Sequence, residues 1–199
     1  MRKGENTNHP RAGSTITVEP IRDLQGIAAI KKAIEHNPMY VCLFTLGINT
    51  NLRAGDLLGI KAGQVRGLRP MDELELREEK TGHRRRISLN KSCIDAIRML
   101  LASRTYQNGD YLFLGQRGGD RLTVPSVNRL VKGWCRGVGI RGNYGSHTLR
   151  KTWGYHQRVT YGVGLPELMT VFGHATQRQT LTYLCVQPDE VRNVYANEL

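Results

Sequence analysis

Hydrophobic residues change their spacing partway along this chain, and the change limits the folds that it can adopt. Over residues 73–77 leucine alternates with charged residues, which is the two-residue period of a half-buried strand. A Thr-Gly pair at 81–82 supplies a turn, and the alternation resumes over residues 85–89. In most other segments the apolar residues recur at helical spacing. The sequence therefore predicts one antiparallel hairpin within a mainly helical α+β domain.

Several segments have the apolar periodicity of helices, and some also carry residues that favour helix ends. Asn37-Pro38 is typical of an N-cap followed by a proline at the first helical position, and Ser146 is a favourable cap for a later helix. Gly173 is expected to end the helix that Pro166 opens. The predicted helices cover residues 21–36, 39–46, 91–104, 125–137, 147–160, 166–173 and 188–197.

The chain carries a large positive charge for its size. Its 199 residues include 29 lysines and arginines against 17 aspartates and glutamates, which gives a net charge of +12 and a pI of about 9.9. Most of the cations fall in two blocks, residues 61–86 and 121–158. This charge predicts a polyanionic partner, most often a nucleic acid, although a basic soluble enzyme could have the same composition.

Several classes of protein are disfavoured by the composition. No apolar run approaches the roughly 20 residues that span a bilayer, and the polar first residues lack the apolar segment of a secretory signal. The four cysteines are widely spaced and form no CxxC pair, which argues against a zinc knuckle and a disulfide scaffold. We therefore expect a soluble cytoplasmic protein with no membrane association.

Two arginines stand in contexts that suit the binding of an anion. Arg53 follows an apolar helix, and Asp56 lies three residues later, where its carboxylate could orient the guanidinium. His147 and Arg150 share one helical face because they are three residues apart. Taken singly, each pair is more typical of a surface ion pair or of an exposed basic helix turn.

Three further residues have two interpretations each. Lys80 is placed at the tip of the hairpin, where a lysine is normally solvated but can also reach a DNA groove and donate a proton. His174 follows a predicted helix end, and Tyr183 comes nine residues later. A tyrosine is usually a packing residue, but the polar segment 177–183 is not typical of a core.

The order and local context of these residues resemble the tyrosine recombinase (phage integrase) family. Leu-Arg-Ala-Gly-Asp-Leu-Leu is similar to its first arginine box, and Glu-Lys-Thr-Gly-His-Arg-Arg to its hairpin lysine. Ser-His-Thr-Leu-Arg-Lys-Thr-Trp-Gly is similar to its HxxR box, and Phe-Gly-His-Ala-Thr followed by Thr-Leu-Thr-Tyr to its Gly-His box and nucleophile. The resemblance extends over residues 18–196. It rests, in chain order, on Arg53, Lys80, His147, Arg150, His174 and Tyr183.

The resemblance implies an α+β fold, a mainly helical catalytic domain with a small three-stranded antiparallel sheet. We expect residues 1–19 to be a flexible arm and residues 20–199 to be this catalytic domain. Many family members carry a helical core-binding domain ahead of it, for which residues 1–19 are too few. Gly55 and Phe172 stand where serine and leucine are common in the family, and both replacements look tolerable.

The resemblance also implies the reaction, which is site-specific DNA recombination or integration of a mobile element. Tyr183 would attack a DNA phosphate and form a 3′-phosphotyrosyl link with a free 5′-hydroxyl. Lys80 would be the general acid that gives a proton to the leaving 5′-oxygen. His147 would assist proton transfer at the tyrosine, and His174 would hydrogen-bond the phosphate.

The two arginines would clamp the non-bridging oxygens of the phosphate. Arg53 and Arg150 suit this role because planar guanidinium groups bind such oxygens in pairs. Since arginines would stabilise the charge, neither a metal ion nor another cofactor is expected. The expected partners are double-stranded DNA at a specific site, further copies of the chain up to a tetramer, and an accessory DNA-bending protein. The candidate phosphate anchors are Arg84, Arg85, Arg86 and Lys151.

The helix predicted over residues 188–197 has two possible packing partners. It packs either on its own domain or, as in many members of the family, on a neighbouring subunit.

Two other functions use the same fold. A type IB topoisomerase-like enzyme shares the nucleophile and the clamp but releases supercoils without pairing two sites. A non-catalytic DNA-binding regulator keeps the fold but not the reaction. The chain length and motif spacing favour recombination, and the complete set of catalytic residue types argues against the regulator.

Overall fold

The computed structural model describes residues 17–115 and 120–186, which form helices around one β-hairpin. None of the helices in these residues combines the length and the apolar character needed to cross a bilayer. In chain order the elements are α1 (Leu24–Ile34), α2 (Pro38–Gly47), α3 (Ala54–Leu58), α4 (Ala62–Val65), β1 (Glu73–Arg77), β2 (Arg84–Ser88), α5 (Lys91–Ala102), α6 (Val124–Gly137), α7 (Ser146–Val159), α8 (Leu165–Phe172) and α9 (Gln177–Leu184).

Polar caps determine where the first two helices begin. α1 starts at Leu24, later than predicted, because the Asp23 carboxylate accepts hydrogen bonds from two backbone N–H groups of the first turn. Asn37 caps α2 in the same way, and Pro38 occupies the first helical position as predicted.

Helix α7 begins differently from the prediction. Ser146 is its first helical residue and not its cap, because the amide oxygen of Asn128 in α6 accepts a hydrogen bond from the Ser146 N–H at 3.1 Å. The N-cap residue is Gly145, and a Cβ at this position would collide with the Asn128 side chain. The start of α7 is therefore held both locally, where the Thr148 hydroxyl accepts a hydrogen bond from the Gly145 N–H at 3.0 Å, and by Asn128 of a neighbouring helix, which the local sequence could not reveal.

The hairpin has the two predicted strands, although β2 begins and ends one residue earlier than residues 85–89. β1 and β2 pair antiparallel from Glu73 opposite Ser88 to Arg77 opposite Arg84. The three-stranded sheet that we expected is wrong, because the sheet in the described residues has two strands. Gln64 of α4 donates a side-chain hydrogen bond to the backbone carbonyl of Glu75 at 3.1 Å, so a helix lies where a third strand would pair with β1.

Most apolar residues form one core that holds α7 in place. α2 is buried at every position from Cys42 to Gly47, as predicted for a central helix, and it packs against α5 and α7. α1 adds Ile27, Ile30 and Ile34 at helical spacing.

A second and much smaller cluster carries α8 and α9. Its buried residues are Leu168, Phe172 and Leu184, with Trp153 and Tyr183 packed against them. α8 ends at Gly173, as predicted, and this residue is in the left-handed conformation with φ of 69°. The turn brings the chain back so that α9 lies against both α8 and α7.

Three helices, α3, α4 and α9, are absent from the sequence prediction. α3 and α4 have five and four residues, which is too short for a periodic pattern. α9 is mostly polar and buries only Thr180 and Leu184. The helix predicted over residues 188–197, and most of the predicted arm at residues 1–19, lie outside the described residues.

Candidate active site

Arg150 lies in the second turn of α7 and is buried, with 5% of its surface exposed. Its Nε–H donates a hydrogen bond to the Asn51 side-chain oxygen at 2.8 Å, and one Nη group lies 3.5 Å from the Phe172 carbonyl oxygen. No carboxylate of the described residues lies within ion-pair distance of this guanidinium. Burial, together with Arg53 and Arg85 nearby, lowers the pKa of Arg150.

Tyr183 lies in the last turn of α9 beside this cation. The Arg150 guanidinium carbon is 6.0 Å from the centre of the tyrosine ring. The Tyr183 hydroxyl is buried and has no hydrogen-bond partner among the described residues. Burial raises the pKa of Tyr183, and the positive charges of Arg150 and Arg53 oppose that rise. The hydroxyl is therefore protonated near neutral pH.

His174 connects the turn after α8 to Tyr183. Its ring stacks on Phe172 at 5.1 Å and meets the Tyr183 ring edge to face at 5.2 Å. Its Nδ1 is 3.1 Å from the hydroxyl of Thr180 in α9. Burial and the charges of Arg150 and Arg53 lower the pKa of His174, so its ring is neutral near pH 7.

His147 lies one turn before Arg150 on α7, as the spacing predicts. Partial burial and the charges of Arg150, Lys151 and Arg53 lower the pKa of His147. A neutral imidazole can accept a proton, which a general base requires.

Arg53 immediately precedes α3 and is held by a carboxylate that the sequence analysis did not single out. Its Nη1 is 2.9 Å from Oε2 of Glu78 and 3.8 Å from Oδ2 of Asp56. Asp56 accepts a hydrogen bond from the backbone N–H of Glu79 at 2.8 Å and so ties the hairpin turn to α3.

Glu78 bridges two arginines at the start of the hairpin turn. Its Oε1 is 3.2 Å from Nη1 of Arg85, and the Thr81 hydroxyl donates a hydrogen bond at 2.7 Å to Oε2, the oxygen that also contacts Arg53. Burial opposes ionisation of Glu78, but the hydrogen bonds from Thr81, Arg53 and Arg85 lower its pKa to about 2.

The other cations of the hairpin point in different directions. Strand alternation leaves the side chains of Arg84 and Arg86 86% and 65% exposed, whereas Arg85 is 14% exposed and faces Glu78. Arg84 and Arg86 both contact Glu75. Lys80 is exposed in the turn, and no ion pair or hydrogen bond of the described residues joins its side chain to the site.

Lys151 is not on the surface. It is 5% exposed. Its ammonium group lies 3.2 Å from the Cys185 sulfur and 5.0 Å from the centre of the Tyr183 ring. The predicted phosphate anchors thus differ in exposure: Arg84 and Arg86 are exposed, Arg85 is half-buried and Lys151 is buried.

A groove of about 650 Å³ lies between β2 and the end of α8. The groove is lined by Arg53, Glu78, Arg85 and Phe172, so it lies beside the two arginines that the Glu78 carboxylate bridges. Within residues 17–115 and 120–186, no group of three or more histidine, cysteine or acidic side chains is arranged to hold a metal ion.

The geometry suits an anion that can also accept a hydrogen bond from a hydroxyl group. A buried cation without a carboxylate is unfavourable unless an anion joins it, and a buried hydroxyl donor without an acceptor is also unfavourable. Arg150 is such a cation and Tyr183 is such a hydroxyl, and the two lie side by side. The charge of Arg53 lowers the pKa of Arg150 and opposes the rise in the pKa of Tyr183, and the charge of Arg85 also lowers the pKa of Arg150.

Comparison with known proteins identifies the family. The model of the phage integrase family matches residues 22–190, so this chain belongs to that family of integrases and tyrosine recombinases. The probable integrase/recombinase YoeC of Bacillus subtilis (strain 168) is 30% identical over 181 residues, which cover 89% of this chain and 95% of that protein.

Solved structures share the fold at low sequence identity. XerA recombinase superposes with a TM-score of 0.74 and 18% identity, over 92% of this chain and 66% of that one. XerH site-specific recombinase, bound to its palindromic difH substrate in a post-cleavage complex, superposes with a TM-score of 0.71 and 16% identity, over 92% of this chain and 55% of that one. The chain therefore spans about two thirds or less of these larger structures.

Proposed function

We propose that this protein is a site-specific DNA recombinase that cuts and rejoins DNA through a 3′-phosphotyrosyl intermediate. The supporting observation is the juxtaposition of a buried guanidinium, Arg150, which has no carboxylate partner in the described residues, with a buried hydroxyl, Tyr183, which has no hydrogen-bond partner among them. A DNA phosphodiester supplies an anion for the first and an electrophile for the second. Membership of the phage integrase family and the net charge of +12 favour DNA as the substrate.

In the proposed reaction the Tyr183 oxygen attacks phosphorus and the bond from phosphorus to the 5′-oxygen breaks. The tyrosine proton passes to the neutral His147, and the leaving 5′-oxygen takes a proton from Lys80. Rejoining reverses each transfer. The phosphotyrosyl bond conserves the ester linkage, so strand exchange needs no nucleotide hydrolysis.

The arginines and His174 stabilise charge on the phosphate in this proposal. Arg53 and Arg150 donate hydrogen bonds to the non-bridging oxygens, where negative charge accumulates in the transition state. His174 is held by Phe172 and Thr180 next to Tyr183, and in this proposal its other ring nitrogen donates a hydrogen bond to the phosphate.

Lys80 requires the hairpin to engage DNA. Because the ammonium is exposed on a flexible four-carbon stem, it can enter the groove beside the scissile phosphate when the hairpin contacts the duplex. Arg84 and Arg86 on the exposed face of β2 are the proposed anchors for that contact.

Trapping the covalent intermediate tests the proposal. A pool of randomised duplexes with a single nick lets a short 5′-hydroxyl fragment diffuse away after cleavage, so that the protein stays attached to DNA. We expect the wild-type chain to form an SDS-resistant adduct and Tyr183→Phe to form none. Tyr161→Phe is the matched control, because Tyr161 is 70% exposed and should leave the yield unchanged.

The same experiment separates the alternatives. Wild-type protein that binds the pool but forms no adduct would contradict catalysis and favour a DNA-binding regulator. Adducts without sequence preference, together with relaxation of any supercoiled plasmid, would favour a topoisomerase-like enzyme over a recombinase.

A further inference from the structure

Asn51 is a buried residue two positions before Arg53, just outside the arginine box quoted above. It is 1% exposed and lies between α2 and α3. Its backbone has a φ of 53°, in the left-handed region, which asparagine tolerates better than most residues other than glycine. A buried polar side chain at such a position needs specific partners.

The side-chain amide of Asn51 has two partners from distant parts of the chain. Its oxygen accepts the Arg150 Nε–H at 2.8 Å, and its NH₂ group donates to the backbone carbonyl of Val171 at 3.1 Å. The two contacts fix the orientation of the amide, because the reversed amide would place donor against donor and oxygen against oxygen.

These bonds join three segments that carry the proposed chemistry. Arg53 lies two residues after Asn51, and Arg150 donates a hydrogen bond to the Asn51 side-chain oxygen. Val171, whose carbonyl accepts from the Asn51 amide, lies in the last turn of α8, shortly before His174. Arg85 also donates to the Val171 carbonyl, at 3.4 Å, so the end of α8 is held from two sides.

The chemical nature of the acceptor matters as much as its position. Asn51 is uncharged, so Arg150 is oriented through Nε while its positive charge remains uncompensated. Arg53 is held in the opposite way, by the carboxylate of Glu78. A neutral acceptor leaves Nη1 and the full charge of Arg150 for an incoming phosphate, while Nη2 lies 3.5 Å from the Phe172 carbonyl oxygen.

We propose that Asn51 is a positioning residue, which holds the Arg150 guanidinium by Nε and keeps it free of a carboxylate. Its catalytic consequence rests on the proposed function, whereas its contact with Arg150 does not. Asn51→Gly removes the amide but keeps a residue suited to positive φ. Asn51→Asp keeps the shape and the acceptor oxygen but adds a negative charge next to Arg150.

Asn49→Ala is the matched control. Asn49 is a half-buried asparagine of the same turn, and its amide also makes two hydrogen bonds, with the Thr45 carbonyl and the Asn90 side chain. Asn49→Ala should lower the free energy of unfolding by a similar amount while leaving the hydrogen bonds of Arg150 unchanged.

The first measurement follows the Arg150 Nε–H directly by proton exchange in arginine-selective nitrogen-15 spectra, assigned with Arg150→Lys. We expect protection in the wild type and in Asn49→Ala, and fast exchange in Asn51→Gly. Protection that persists in Asn51→Gly would overturn the positioning role, and this result is independent of whether the protein cleaves DNA.

The second measurement compares single-turnover adduct formation at saturating nicked duplex with the Kd for the same DNA. We expect a rate about 10-fold lower in Asn51→Gly and about 100-fold lower in Asn51→Asp, with little change in Kd, because misplacing or neutralising one transition-state donor has effects of this size. An Asn51→Asp rate equal to that of the wild type would overturn the inference. Failure of the wild type to form an adduct would instead contradict the proposed function.

Discussion

Two arginines of the candidate site are held by partners of opposite character. Arg53 contacts the Glu78 carboxylate at 2.9 Å, whereas Arg150 contacts only an amide and a backbone carbonyl among the polar groups described. The first guanidinium is neutralised before substrate arrives, and the second is not. We therefore expect removal of the Glu78 charge to leave Arg53 and Arg85 without their shared carboxylate and so to lower the stability of the fold.

Glu78→Gln should destabilise the protein more at neutral pH than at pH 3. Because the folded protein lowers the pKa of Glu78 from 4.5 to about 2, its ionised form stabilises the fold above pH 4.5, and this contribution disappears as the pH falls towards 2. We expect a loss of about 1–3 kcal/mol at pH 7, the usual range for a hydrogen bond to a charged group. Chemical denaturation at pH 7 and pH 3 measures it.

Glu75→Gln is the control for that prediction. Its carboxylate also contacts two arginines, Arg84 and Arg86, but it is 46% exposed, and exposed pairs contribute less than about 1 kcal/mol. Equal losses in the two variants, or a Glu78→Gln loss that is the same at both pH values, would contradict the account of Glu78.

At the scale of elements, the pair α8–α9 depends on a small cluster that is separate from the main core. Of the residues that the structure describes, Leu168, Phe172 and Leu184 are the ones fully buried in it. Gly154 of α7 makes this packing possible, since a Cβ there would lie 2.5 Å from both Leu184 and Phe172. The position of Tyr183 on α9 therefore depends on residue 154 of α7 having no side chain.

Gly154→Ala should loosen α9 while the main core stays folded. Overpacking at such a contact typically destabilises by about 1–3 kcal/mol, and we expect faster amide hydrogen exchange in α8 and α9 than in α2 and α5. Gly133→Ala in α6 is the control, because a Cβ there meets nothing within 4 Å and alanine favours helix. Unchanged exchange in α9 of Gly154→Ala would be evidence against the packing described here.

Elements with a strong period could be predicted from sequence, and elements defined by distant contacts could not. The alternation of residues 73–77 predicted β1, and Asn37 predicted the start of α2. The third strand failed because Gln64, not a strand, lies at the edge of β1. α9 was missed because its polar sequence buries only Thr180 and Leu184.

The candidate site shows the same limit. Motif order singled out Arg150, His174 and Tyr183, and the structure brings these three together. Asn51 and Glu78 carried no signal, because their partners lie far along the chain or depend on the hairpin register. Lys151 was expected at the surface, and only the packing of α9 on α7 shows that it is buried.

At the scale of the whole molecule, the positive charge is divided between a buried site and an exposed hairpin face. Arg150 and Lys151 are 5% exposed, whereas Arg84 and Arg86 are mostly exposed. We therefore expect the exposed pair to contribute affinity for any DNA sequence and the buried residues to act on the scissile phosphate.

Replacing both exposed arginines, Arg84→Ala with Arg86→Ala, should weaken DNA binding and its salt dependence together. Each lost phosphate contact reduces the slope of log Kobs against log salt concentration by roughly 0.9, so the double variant should lower it by up to about 1.8. Fluorescence anisotropy with random-sequence duplex over a range of salt gives the slope. Lys31→Ala with Lys32→Ala, in the exposed last turn of α1, removes the same charge and should change the slope less.

The claim on which the whole account depends is that Tyr183 forms the covalent bond to DNA. Mass spectrometry of the trapped adduct, after nuclease and trypsin digestion, identifies the residue that carries the nucleotide. We expect the modification on the peptide from Gln179 to Arg192, whose single tyrosine is Tyr183, with the nucleotide joined through its 3′-phosphate. A nucleotide on any other residue, or one joined through its 5′-phosphate, would contradict the account.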